Sequence, residues 1–83
     1  MKFQLYKQVA LTRDIPEDDL RKGDVATVVD HHTHPEPGGE DGYSIEVFNA
    51  VGDTIVVTVV PESAIEALRD DQVLSVRLLA TTA

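Results

Sequence analysis

Eighty-three residues carry fifteen acidic side chains against seven basic ones, a formal charge of −8, and no cysteine. A chain of that length buries only about 60 to 65% of its unfolded surface, so residues 1–83 are expected to form one small domain with a modest core, and enzymes needing a deep pocket are disfavoured. The acidity repels a nucleic-acid backbone, the lack of thiols rules out disulfides and zinc–thiolate sites, and "MKFQLYKQVALTRD" has neither a signal-peptide pattern nor a membrane-length apolar run, so a cytoplasmic protein is expected that binds neither nucleic acid nor membrane.

"QVALTR", residues 8–13, brings Val9 and Leu11 to one face at period two, and Pro16 in the following "DIPEDDL" cannot sit in a central strand. A short first strand and a loop are predicted. Gly23-Asp24 marks a turn before "VATVVD", a second strand apolar on both faces. "YSIEVFN" alternates, with Tyr43, Ile45 and Val47 on one side and Ser44, Glu46 and Phe48 on the other. "AVGD" then connects to "TIVVTVV", the most strand-like run, and its Gly52 supplies the positive φ of a hairpin loop.

Pro61 ends that strand, and "ESAIEALR" suggests one or two turns of α- or 3₁₀-helix. "VLSVRLL" is predicted as the fifth strand, with Leu74, Val76 and Leu78 on one face, although so short a run also fits a buried helix. Five short strands and one helical turn favour an all-β fold, a small five-stranded antiparallel SH3-like barrel, since closure conceals edges that so small a chain could not otherwise cover. Leu11, Val25, Val29, Ile45, Val47, Ile55, Val57 and Ile65 are the predicted core.

"VALTRDIPEDDLRKGDVATVV" and "YSIEVFNAVGDTIVVTVVPESAI", with the gap between them, resemble the bacterial family of small domains of unknown function numbered 4926, over roughly residues 8–68. The resemblance implies an SH3-like barrel akin to those of nitrile hydratase β subunits and of ribosomal and transcription-factor modules, and it brings no catalytic residues. The chain departs from the family pattern in a longer, histidine-rich tip at 31–42 and in a C-terminal extension at 69–83.

Three histidines, four carboxylates, two prolines and three glycines crowd "DHHTHPEPGGEDG", residues 30–42. On an extended backbone His32 and His34 point the same way and His31 the other, so a metal site would need a third ligand from Asp30, Glu36, Glu40 or Asp41. A solvated hairpin tip is expected, with metal binding or pH sensing through His31, His32 and His34 as the alternative. "DIPEDD" with Asp24 lacks the order of a calcium loop and reads as a solvated turn. Ser44, Ser63 and Ser75 fall in no nucleophile pattern, so neither catalysis nor a cofactor is expected.

Small barrels hold peptides or larger proteins beside exposed aromatics, which makes Tyr6, Tyr43 and Phe48 candidate anchors. Leu74, Val76 and Leu78 join them, because residues 73–80 offer more apolar surface than one exposed face carries and would pair with a sheet edge. The expected function is that of a protein-binding or accessory module, its partner another protein of basic character or a second copy in a homodimer. The alternatives are the metal- or pH-sensing tip and a small subunit that completes a partner enzyme.

Overall fold

A computed structural model describes residues 1–79. Its strands are β1 Gln8–Leu11, β2 Val25–His32, β3 Gly42–Phe48, β4 Thr54–Pro61 and β5 Ile65–Ala67, all in one antiparallel sheet of order β4-β3-β2-β1-β5. The all-β class and the five antiparallel strands are as expected. The sheet is not closed, however, and β4 and β5 remain its edges. Among the described residues helix is confined to 3₁₀ turns at Pro16–Asp18 and Glu62–Ala64.

The alternation of β3 sets the inside of the sheet. Tyr43, Ile45 and Val47 are buried, and the register with β4 places Val60 opposite Tyr43 and Val56 opposite Val47. Directly paired residues share a face, so Val60 and Val56 turn inward while Ile55, Val57 and Val59 face out and are exposed. Ile55 and Val57 are therefore not core residues as predicted: a uniformly apolar run does not declare its own parity, and the partner strand decides it. Val25 and Val29 are likewise only half-buried, because Ala26 and Val28 take the inward positions of β2. Leu11, Ile45, Val47 and Ile65 are buried as expected.

The hairpin between β3 and β4 is closed by Asn49, whose side-chain oxygen accepts the N–H groups of Val51 and Asp53 at 3.1 and 2.9 Å, while Gly52 adopts φ +92°. The fifth strand lies earlier than predicted. Ile65 pairs with Leu11, and the expected helical turn is a single 3₁₀ turn, ended where Thr12 donates its N–H to Ala64 and its hydroxyl to Ser63, at 2.9 and 2.7 Å, drawing the chain straight onto the open side of β1. Residues 73–79 form neither strand nor helix, so the predicted fifth strand there is corrected; Ala80 lies outside the described residues.

One side chain ties the chain start to the sheet. The Tyr43 hydroxyl accepts the N–H groups of Lys2 and Phe3 at 3.0 and 3.3 Å and donates to Glu62 Oε2 at 2.8 Å, and Phe3 packs edge-on at 5.3 Å between ring centroids. Burial pushes the phenol above its ordinary pKa, and the bond to Glu62 adds to the effect. Chemical denaturation should show Tyr43→Phe destabilised by about 1–3 kcal/mol, since donors and an acceptor lose their partner while the ring stays. Val60→Ala should cost about 1–3 kcal/mol and Val57→Thr within about 0.5 kcal/mol; equal costs would contradict the parity of β4.

Candidate functional site

The histidines of the tip do not converge. His31 Nε2 lies 2.8 Å from Asp41 Oδ2, with its ring tilted against Tyr43 at a centroid separation of 5.1 Å. His32 Nε2 sits 2.8 Å from the Ser44 hydroxyl, and His34 Nδ1 accepts the Glu36 N–H at 3.0 Å. Each ring is thus engaged by a different partner. Asp41 is held below the ordinary carboxylate range, first by His31 and then by the N–H of His34. Among the described residues no group of three or more His, Asp and Glu side chains is arranged to hold a metal ion. Glu40 reaches instead across to the Ser63 N–H, fastening the tip to the second 3₁₀ turn.

At the opposite end of β2, the turn Arg21–Asp24 closes with the Asp24 N–H on the Arg21 carbonyl at 3.0 Å, and Gly23 takes φ +92°. The Asp24 carboxylate then accepts the Arg21 N–H at 2.8 Å through Oδ2. Arg77 grips the same carboxylate with a fork: Nε on Oδ1 at 2.8 Å and Nη2 on Oδ2 at 2.5 Å, while Nη2 also reaches the Asp19 carbonyl at 3.1 Å. Burial raises the Asp24 pKa, but Arg77 and the Arg21 N–H more than offset it, and the carboxyl ends below its ordinary value. Leu20, Val47, Phe48 and Ile55 wall a groove of about 280 Å³ around this pair, with Leu74, Val76 and Leu79 against it.

A second opening follows the free side of β4. Arg13, Asp14, Glu17 and Asp18, from the loop after β1, face Thr58, Val59 and Val60 across it. Nearer the start of β4, Asp18, Asp19, Ile55, Val56 and Leu79 line its continuation. The loop stands beside β4 without pairing with it, which is why the sheet stays open.

The sequence pattern described as "Domain of unknown function (DUF4926)" matches residues 5–67, a span that runs from just before β1 to the last residue of β5. The chain belongs to this family. No curated protein and no solved structure gives a significant match. The DUF4926 match therefore includes Asp24, the β4 edge and the acidic loop, and it stops short of Arg77.

Of the anchors expected from the DUF4926 sequence, Phe48, Leu74 and Val76 meet in the groove at Asp24, whereas Leu78 points away and is 89% exposed. Tyr6 is exposed at φ +67° and lines neither opening. Tyr43 is fully buried, so its ring is core and not a partner anchor: inward alternation claimed it. Sequence reasoning missed the pair Asp24–Arg77, because nothing local links residues so far apart; only the Gly23-Asp24 turn was visible. Among the described residues no helix is long and apolar enough to cross a membrane.

A carboxyl lowered on folding stabilises the fold fully above its unfolded pKa of 3.8, and that contribution fades as pH falls through the folded value. Acidification below about pH 4 should therefore free residues 74–79 first, read as faster amide exchange there while β3 stays protected. At neutral pH a chelator should leave the melting temperature unchanged; a drop would reveal a metal that the separately engaged histidines do not suggest.

Proposed function

We propose that the chain is a cytoplasmic protein-binding accessory module, without a reaction of its own, that takes an extended basic segment of another protein along the free edge of β4. The observation that carries this reading is the opening between β4 and the acidic loop. Alternate residues of an edge strand direct N–H and C=O groups away from the sheet, ready for an added strand. β4 leaves Val57 and Val59 exposed beside that edge, and neither lysine nor proline interrupts it before Pro61.

Charge selects the partner. Across from β4 stand three acids, Asp14, Glu17 and Asp18, against one base, Arg13, and the whole chain carries −8. A second copy would bring the same sign to the same place, whereas a basic segment gains attraction on approach and retains strand pairing once seated. Support for the cytoplasm comes from a chain without cysteine.

Val57→Lys and Val59→Lys should keep the fold, since both side chains are outside the core, and should abolish capture of the partner from native cells. In the purified complex, amides of β4 should gain exchange protection. Capture that survives both substitutions, with β4 no better protected than in the free chain, sinks the reading.

A further inference from the structure

We infer that the Asp24 carboxylate and the Asp19 carbonyl form an arginine-recognition site, filled here by the chain's own Arg77, and that the surrounding groove accepts an arginine-bearing aliphatic segment of another protein in place of residues 74–79. This rests on the protein-binding reading above and specifies the partner.

The turn that carries the site is held by bonds in which Arg77 has no part. Leu11 holds the turn from two sides, accepting the Gly23 N–H and donating to the Asp24 carbonyl, both at 2.9 Å, and the Arg21 N–H fixes one carboxylate oxygen. What remains is a planar carboxylate with both oxygens presented, which a guanidinium fork matches and an ammonium does not. The Asp19 carbonyl supplies a third acceptor for the same group. Asp14 and Asp19 add negative charge around it.

Residues 74–79 behave as a tethered ligand and not as part of the fold. They lie beyond the family match, and among the described residues no backbone hydrogen bond joins them to the sheet. Val76 is 88% exposed and Leu74 63%, while Leu79 is half covered. Arg77, by contrast, keeps only 26% of its side chain exposed, opposite 15% for Asp24. A single charged anchor with loosely seated aliphatic flanks defines what the groove takes: an extended segment with one arginine between apolar residues. Leu79 lines the continuation of the β4 opening with Ile55 and Val56, so a partner strand advancing along β4 meets this segment and displaces it.

The test uses the full chain and a fluorescent peptide of its own residues, Val-Leu-Ser-Val-Arg-Leu-Leu, with a Gly-Ser flank for solubility, read by anisotropy. If the internal clasp is closed nine-tenths of the time, the free groove is about a tenth of the population, and opening it raises apparent affinity about tenfold. Arg77→Ala should therefore bind the peptide about tenfold more tightly than the natural chain. Adding Asp24→Asn to Arg77→Ala should abolish that binding while keeping an oxygen acceptor for the Arg21 N–H, and unchanged melting of β3 confirms the fold. A peptide with alanine for arginine should not bind, and one with lysine should bind weakly. Equal binding by the natural and Arg77→Ala chains, by arginine and alanine peptides, or no binding to any chain overturns the inference. Loss of partner capture in Val57→Lys with no peptide binding would overturn this site alone; peptide binding without β4 protection would overturn the edge reading alone.

Discussion

The buried tyrosine of β3 is the constraint on which the remaining geometry depends. Its ring is completely enclosed, and its hydroxyl gathers the chain start and the second 3₁₀ turn onto one point. Because Tyr43 must face inward, Ile45 and Val47 follow at period two, Val60 and Val56 are chosen on one neighbouring strand, and Val28, opposite Ile45, on the other. A slip of one residue would expose the ring and strand the hydroxyl partners together. The same choice leaves Val57 and Val59 outside, so the exposed apolar face of β4 is the counterpart of the core and not an independent feature.

How far this was legible depended on local pattern. "YSIEVF" mixes polar and apolar residues and declares its face, so Ile45 and Val47 could be read as inward, while Tyr43 on that same face reads as a partner anchor and proves to be core. "TIVVTVV" is apolar at five of seven positions, and both residues assigned to the core from it, Ile55 and Val57, were misplaced for want of contrast. Residues 73–79 failed for another reason: their apolar alternation has the period of a strand, yet β5 already occupies the edge of β1, pinned there by Thr12. Propensity proposed a strand there, but the place beside β1 was already filled. The Asp24–Arg77 pair was invisible because one half was an ordinary turn and the other a lone arginine in an apolar run.

The histidine tip shows the opposite situation, a conspicuous sequence with a modest structure. Its three imidazoles bind a carboxylate, a hydroxyl and the local backbone, and a carboxylate of the same tip reaches across to Ser63. Such contacts order a long hairpin connection that glycine and proline alone would leave loose. Density of ligand types in sequence is therefore a poor guide to convergence in space, since alternation along β2 separates His31 from His32.

An open sheet with an apolar edge invites uncontrolled pairing, and the chain counters this with charge rather than with closure. The loop after β1 lines the opening with carboxylates, and Arg77 folds an aliphatic segment over its far end. Repulsion between identical acidic openings is strongest where two β4 edges would have to meet, while screening at physiological salt, with a Debye length of about 8 Å, confines the effect to close approach. On the proposed reading, the edge is disfavoured for copies of itself and left to a segment carrying positive charge. Selectivity of the proposed kind would arise from what the acidic loop rejects as much as from what β4 offers, which joins the unpaired edge and the surplus of acid in one device.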